Sequence, residues 1–108
     1  MELKVLIVDD ELLVRDNLNK MIDWESHGFF ICGEATNGSD AISMLNSKKP
    51  DIVLLDITMP LMDGISVTKY ISQHHKDVKV IILSSYDSYD YVRETMKHGA
   101  IDYVLKYR

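Results

Sequence analysis

Five short runs of apolar residues recur along the chain, separated by longer stretches in which apolar residues return every three or four positions. The runs occupy residues 4–8, 29–35, 51–55, 79–83 and 101–105. They are largely apolar throughout rather than alternating with polar residues, which is typical of strands in a parallel sheet covered on both faces. The pattern therefore predicts five parallel β-strands.

The stretches between the runs have the period of amphipathic helices. The apolar residues at helical spacing are Val14, Leu18, Met21 and Ile22; Ala41, Ile42 and Leu45; Val67 and Ile71; and Tyr89, Val92 and Met96. Asn37 and Asp87 are placed to cap the second and fourth helices, and Gly99 is placed to end the fourth. Strands that alternate with helices imply parallel pairing through crossover connections. We therefore predict the order βαβαβαβαβ.

Only three residues follow Leu105, so we expect no fifth helix in this chain and one incompletely covered face of the sheet. The 108 residues, of which 46% are hydrophobic and 27% charged, fit one globular domain over residues 1–108. A formal net charge of -5 argues against direct binding of nucleic acid by this segment, because such affinity is built largely from Lys and Arg.

Two features of the sequence predict a cytoplasmic location without membrane association. Cys32 is the only cysteine and lies in an apolar run, so we expect a buried small hydrophobe in a reducing compartment. The apolar run of the N-terminal segment is too short for a signal peptide or a spanning helix, and acidic residues follow it at once.

Polar residues follow four of the five predicted strands at their carboxyl ends. Asp9 and Asp10 follow the first strand, Asp56 the third, Ser84 the fourth and Lys106 the fifth. The carboxyl ends of parallel strands lie along one edge of the sheet, where open α/β folds bind their ligands. We therefore expect three carboxylates, a hydroxyl and an ammonium to converge there.

Converging carboxylates repel one another, and a bound divalent cation relieves that repulsion at neutral pH. Oxygen ligands favour Mg²⁺, Mn²⁺ or Ca²⁺ over zinc, and few carboxylates with room for water suit Mg²⁺, with Mn²⁺ as a substitute. Magnesium suggests phosphate chemistry, in which an aspartate accepts a phosphoryl group. Lys106 and the Ser84 hydroxyl can then bind phosphoryl oxygens.

Asp56 is the predicted nucleophile because it lies between an apolar strand and a stiff loop that contains Pro60 and an Asp-Gly turn pair. That loop can also turn the Thr58 carbonyl toward the cation. Asp9 and Asp10 are adjacent at one strand end and suit metal binding better. The predicted metal ligands are therefore Asp10, Asp9, Asp56 and the backbone carbonyl of Thr58.

Four fragments, "VLIVDDE", "DIVLLDITMPLMDG", "VIILSS" and "GAIDYVLK", together resemble the receiver domain of two-component response regulators. The match runs across essentially the whole chain, and the order and spacing of the fragments make it specific. The resemblance implies a flavodoxin-like (βα)5 three-layer sandwich. Its parallel sheet has the strand order 2-1-3-4-5, and the fifth helix is absent from this chain.

The resemblance also implies roles for individual residues. Asp56 is the phosphoacceptor, Asp9 and Asp10 form the acidic metal pocket, and Lys106 is the family's lysine. Ser84 and Tyr103 are the switch pair, in which the hydroxyl moves toward the phosphoryl group and the aromatic ring swings inward behind it.

Thr58 and Tyr86 stand two residues beyond Asp56 and Ser84, where they flank the pocket and are expected to tune the lifetime of the phosphate. The expected partners are a sensor histidine kinase and the protein's own output domain, with homodimer formation left open. Two longer fragments resemble receivers that are joined to AraC-type helix-turn-helix domains. The domain supplies catalytic groups only for its own phosphorylation and dephosphorylation, so we do not expect it to be an enzyme that acts on other substrates.

The chain departs from the family pattern at Tyr107, which stands where the family usually has a proline after the lysine. The expected lack of a fifth helix also leads us to expect marginal stability or association through the uncovered face.

Three other functions fit some of these features. A haloacid-dehalogenase-like phosphatase uses a strand-end aspartate, but it needs a second Asp at the position of Thr58. A flavodoxin-like cofactor binder needs a loop rich in Gly, Ser and Thr where this chain is acidic. A degenerate receiver that serves only as a protein-binding scaffold needs no intact set of site residues.

Overall fold

The five predicted strands form one parallel sheet in the order β2-β1-β3-β4-β5. The computed structural model describes residues 2–59, 62–85 and 89–106. The strands are β1 (Leu3–Val8), β2 (Phe29–Ala35), β3 (Ile52–Asp56), β4 (Lys79–Ser84) and β5 (Asp102–Leu105). Each strand begins and ends within one residue of its predicted bounds, so the strand prediction is confirmed.

Four α-helices alternate with these strands in the part of the chain that the structure describes. They are α1 (Leu12–Met21), α2 (Gly38–Lys48), α3 (Gly64–His74) and α4 (Tyr89–Lys97), and a single 3₁₀ turn (Glu25–His27) precedes β2. None of these helices is long and apolar enough to cross a membrane.

The helix ends carry most of the predicted signals. Asn37 caps α2, because its side-chain oxygen accepts a hydrogen bond of 2.8 Å from the Asp40 amide. Asp63 caps α3 in the same way, with 2.9 Å to the Ser66 amide. Gly99 follows α4 with a φ of 114°, a backbone conformation that is strained for residues with a side chain but not for glycine. It therefore ends that helix as predicted. The predicted cap Asp87 lies outside the described residues.

The central strands are buried on both faces, and their side chains form two separate hydrophobic clusters. The larger cluster packs under α2, α3 and α4 and includes Leu6, Val8, Val53, Leu55 and Ile82. The smaller one lies under α1 and consists of Val5, Ile7, Val14, Leu54 and Leu83. The unequal size of the two clusters agrees with the expectation that one sheet face is less completely covered.

Several expected burials are wrong or only partly right, and among them Ile22 and Met96 are 39% and 40% exposed. Met21 is 80% exposed, because α1 ends there and Ile22 already has extended backbone angles, so the helical period does not continue. Tyr89 is 67% exposed and lies beneath the Arg93 guanidinium, 5.1 Å from its ring centre, instead of in the core. Cys32 is only half-buried, because it lies on the edge strand β2.

Candidate functional site

The site lies at the carboxyl ends of β1 and β3, the adjacent central strands where the strand order of the sheet reverses. Asp9 directly follows β1 and Asp56 ends β3, and both side chains are almost completely buried. Crevices at this position of an open α/β sheet are the usual place for ligands. The predicted convergence of these strand ends is therefore seen in the structure.

Lys106 brings the end of the edge strand β5 into the same site. Its ammonium Nζ is 3.0 Å from Asp9 Oδ2 and 3.3 Å from Asp56 Oδ2, and the side chain is only 6% exposed. It also contacts Glu11 Oε1 at 3.1 Å. The Lys106 amide donates a 2.8 Å hydrogen bond to the Ser84 carbonyl, which holds the lysine backbone beside β4. One ammonium thus bridges three carboxylates.

Asp56 is held by the turn that follows it. The Thr58 amide donates to Asp56 Oδ1 at 3.3 Å, and the Gly64 amide donates to the Ile57 carbonyl at 2.7 Å. A Cβ atom at Gly64 would overlap the Asp56 carbonyl oxygen and stand 2.7 Å from the Ile57 Cα. Only glycine therefore lets the start of α3 pack directly on the backbone of the predicted nucleophile.

Burial dominates the ionisation of the two aspartates. Burial, and then the charge of Asp9, raise the pKa of Asp56, while Lys106 lowers it, and together these effects bring the pKa to about 7. Burial also raises the pKa of Asp9 above its usual range. Burial disfavours the charged form of Lys106, but its hydrogen bond to Asp9 and the charge of Asp56 raise the pKa of the lysine overall. The pocket therefore holds carboxylates that would gain from additional positive charge.

Ser84 adds a hydroxyl that is ready to bind a ligand. The residue ends β4 and is 2% exposed. Its Oγ has no hydrogen-bond partner among the described residues. Buried hydroxyl groups are nearly always hydrogen-bonded, so this unpartnered hydroxyl is available to an oxygen atom of a ligand.

The acidic groups at the end of β1 are suited to a hard cation. Carboxylate oxygens of Asp9, Asp10 and Glu11 lie within 4.8 Å of one another. Oxygen ligands of this kind match Mg²⁺ or Mn²⁺ and offer nothing that zinc or copper prefers. The structure thus brings the predicted ligands Asp9 and Asp10 together, and it places Asp56 beside them through Lys106.

Sequence reasoning missed two residues at this site. The sequence pattern predicts no role for Glu11, although its carboxylate contacts Lys106 and joins the acidic cluster. The pattern also predicts no role for Arg15, although its Nη1 donates a 2.7 Å hydrogen bond to the Asp9 carbonyl. The available signal was that Arg15 follows the buried Val14 at the first turn of α1, beside the acidic strand end.

The remaining predicted residues lie around the pocket. Thr58 is exposed at its mouth. Tyr103 is 49% exposed and, with Ser84, lines a groove of about 420 Å³ between α4 and β5. Tyr86 and Tyr107 lie outside the described residues, so their predicted places stay predictions.

Comparison with known proteins bears on this geometry. Residues 5–107 match the family model of the response regulator receiver domain. The chain belongs to this family. It is the receiver domain of a two-component response regulator, as the sequence fragments predicted.

The receiver domain is similar over 103 residues to two transcriptional regulators. It is 39% identical to the uncharacterized transcriptional regulatory protein YesN of Bacillus subtilis, where the match covers 95% of this chain and 28% of that protein. It is 38% identical to the transcriptional regulatory protein HptR of Staphylococcus aureus, where the match covers 95% of this chain and 40% of that protein. The receiver domain thus spans well under half the length of these relatives.

Solved structures confirm the predicted fold. The REC domain of AraT, a response regulator from Geobacillus stearothermophilus, superposes with a TM-score of 0.93 at 32% identity, covering 98% of this chain and 82% of that one. A chain of the CheX-CheY-BeF3-Mg²⁺ complex from Borrelia burgdorferi gives a TM-score of 0.83 at 35% identity, covering 98% of this chain and 79% of that one. Receiver domains bind Mg²⁺ at an acidic cluster, and the acidic cluster of this chain is Asp9, Asp10 and Glu11.

Proposed function

We propose that this receiver domain accepts a phosphoryl group on Asp56 from the phosphohistidine of a sensor histidine kinase or from a small phosphodonor. The observation that carries the proposal is the buried Asp56 carboxylate, 3.3 Å from the Lys106 ammonium, with the unpartnered hydroxyl of Ser84 one residue beyond the register partner of Asp56 on the neighbouring strand β4. This set offers a nucleophile, a cation and a hydrogen-bond donor around one space.

The chain's own groups account for most of the transfer. An ionised oxygen of Asp56 forms the new bond to phosphorus, while the bond from phosphorus to the donor breaks and the leaving group keeps the electron pair. Lys106 binds one phosphoryl oxygen, and Ser84 donates its hydroxyl proton to a second. The Thr58 amide already donates to one Asp56 oxygen, which orients the carboxylate. When bound, Mg²⁺ neutralises charge on the phosphoryl oxygens.

The proposed ligands of the cation are Asp10, Asp9, Asp56 and the backbone carbonyl of Thr58, with Mn²⁺ as a substitute. The closeness of Asp9 and Asp10 and the hard oxygen chemistry of the cluster support this set. The relative from Borrelia burgdorferi, whose complex contains Mg²⁺, supports the choice of metal.

The output follows from a change of population between two conformations, in which Ser84 and Tyr103 form the switch. A phosphoryl group that draws the Ser84 hydroxyl toward itself changes one wall of the groove that Tyr103 also lines. The shift is limited by the difference in phosphate binding between the two conformations.

The transcriptional regulators that share this domain support an output that controls transcription, and we propose an AraC-type helix-turn-helix domain for it. The net charge of -5 supports the proposal that DNA is contacted by that domain and not by this one. We place the protein in the cytoplasm. We propose that it acts on no substrate other than its own aspartate. Whether the output involves a homodimer is left open.

The test is to incubate the protein with acetyl phosphate, with and without Mg²⁺, and to follow its intact mass. We expect a Mg²⁺-dependent gain of one phosphoryl group in the wild type and none in Asp56→Asn. Asp63→Asn is the matched control, because asparagine keeps the cap of α3 and removes an equal charge nearby. Absence of a gain in a folded wild type would favour a receiver that acts only as a scaffold.

The same mass assay, followed over time, tests the proposed tuning by Thr58. Its side chain is exposed at the pocket mouth, so Thr58→Ala should admit water more easily and shorten the lifetime of the phosphate by roughly threefold. Ser43→Ala, an exposed change on α2, is the control. Equal decay in Thr58→Ala and the wild type would remove this role, and Tyr86→Ala tests the second residue of the pair.

A further inference from the structure

Arg15 connects the edge strand β2 to the backbone between the two proposed metal ligands. Its Nε donates a 3.0 Å hydrogen bond to Glu34 Oε1 on β2, and its Nη1 donates a 2.7 Å hydrogen bond to the Asp9 carbonyl. The side chain is only 12% exposed. Asn19, one turn further along α1, donates to the second Glu34 oxygen at 3.0 Å. The guanidinium is therefore held from behind while it binds Asp9.

The Asp9 carbonyl is a sensitive point because it belongs to the same planar peptide unit as the Asp10 amide. Fixing the carbonyl fixes that plane and the position of the Asp10 Cα in it, which limits the directions in which the Asp10 side chain can leave the backbone. Asp9 is also held by its amide, which donates to the Ala35 carbonyl at 3.0 Å, and by its Oδ1, which accepts from the Glu11 amide at 2.8 Å. Arg15 holds the Asp9 carbonyl, which is the end of Asp9 that is joined to Asp10.

The start of α1 provides no substitute for this contact. Glu11 occupies the N-cap position, but its side chain makes no capping hydrogen bond. The turn that carries Asp10 and Glu11 is exposed to solvent, apart from its contacts with the site. Among the described residues, the Arg15 guanidinium is thus a side-chain group that ties the peptide between Asp9 and Asp10 to α1 and β2.

We propose that Arg15 is a positioning residue for the cation site: it orients Asp10 relative to Asp9 by holding the peptide unit between them, and Glu34 holds Arg15. This inference rests on the proposed binding of Mg²⁺ by Asp9 and Asp10. Groups that orient metal ligands are commonly worth about tenfold or more in metal affinity.

The sign of the effect separates positioning from charge. A guanidinium beside a cation site repels the cation, so a purely electrostatic role predicts that loss of Arg15 tightens Mg²⁺ binding. A positioning role predicts weaker binding in spite of the lost repulsion. Arg15→Lys separates the two further, because it keeps the charge but cannot reproduce the planar fork that reaches Glu34 and Asp9 together.

The experiment is a titration of Mg²⁺ into ¹⁵N-labelled wild type, Arg15→Met, Arg15→Lys and Lys20→Met, followed through the amide shifts of Asp10 and Glu11. We expect affinity to fall about tenfold in Arg15→Met and about threefold in Arg15→Lys. Lys20→Met removes an equal charge from an exposed position of α1 and should bind as the wild type does. Urea unfolding of each variant confirms that it is folded.

The outcomes distinguish this inference from the proposed function. A wild type whose site amides do not respond to Mg²⁺ overturns both. A wild type that binds Mg²⁺, together with Arg15→Met that binds it equally or more tightly, overturns the positioning role alone. If Arg15→Met does not fold, Arg15→Lys decides, because unchanged affinity in that folded variant overturns the inference.

Discussion

Asp56 holds its proton to a much higher pH in the folded chain than an aspartate in an unfolded one. Its pKa is raised to about 7, mainly by burial and then by the charge of Asp9, from an ordinary value of about 3.9. A raised carboxyl pKa means that the folded state binds more protons, so stability falls as pH rises from about 4 to about 7 and the loss is complete above that range.

Asp56→Asn should therefore be more stable than the wild type at about pH 8 without Mg²⁺, by up to about 4 kcal/mol, and the difference should vanish near pH 4. Asparagine keeps the size of the side chain and removes its titration. Urea unfolding of both proteins across this range, in the presence of a chelator, measures the difference. Asp63→Asn should follow the wild type throughout, and a gap between Asp56→Asn and the wild type that does not depend on pH would contradict the assignment.

Sequence alone identified the strand-end residues because parallel strands bring their carboxyl ends to one edge whatever their side chains do. Asp9, Asp56 and Lys106 needed only the strand assignment. Glu11 and Arg15 lie on the start of α1, where contact with the site depends on how the helix is rotated and which rotamers it permits. That rotation is set by the packing of Val14 against the sheet, which no local pattern specifies.

The close approach of α3 to the end of β3 leaves little room for a change of sequence at Gly64. The start of α3 touches the backbone of Asp56 and Ile57 through Gly64, which leaves no room for a methyl group. Neither backbone can move away, since Ile57 is buried and Asp56 ends a central strand. The glycine is required by this close approach, and no unusual φ is involved.

We therefore expect Gly64→Ala to cost roughly 2 to 4 kcal/mol of stability and to lower phosphorylation of Asp56, because the overlap must displace the nucleophile or α3. Gly33→Ala is the matched control, since a Cβ atom there would meet Met44 Sδ at an ordinary 3.4 Å. Urea unfolding and the phosphorylation assay measure the two effects. Comparable stability of the two variants would show that the contact at Gly64 is not limiting.

The sequence predicts the positions of the strands better than it predicts which helix residues are buried. Strands such as β3 are buried on both sides, so their apolar runs stand out whichever neighbours they have. A helix period shows which residues share a face, but not how far the sheet beneath extends. This is why Met21 and Tyr89, at the last and first residues of their helices, have the correct spacing and yet remain exposed.

The whole molecule exposes large apolar side chains beside its smaller hydrophobic cluster. Leu13 of α1 is 75% exposed and Leu12 is 60% exposed. Val104 of β5 is 50% exposed and pairs in register with Leu83, a member of that cluster. Such surfaces favour association.

Sedimentation velocity should therefore show that this chain self-associates as its concentration rises, and Leu13→Gln should weaken the association without a loss of stability. Met21→Gln is the control, because Met21 is equally exposed but lies at the other end of α1. A chain that stays monomeric at high concentration would contradict the prediction.

The contact of Lys106 with Asp9 and Asp56 couples the edge strand β5 to the middle of the sheet. All four residues of β5 are exposed. Lys106, which follows them, nevertheless forms ion pairs with Asp9 and Asp56 at the ends of the central strands β1 and β3. The carboxyl end of the edge strand β5 is thus held by ion pairs to the central strands β1 and β3. Because Lys106 contacts Asp56, we expect a phosphoryl group on Asp56 to act directly on the end of the edge strand β5.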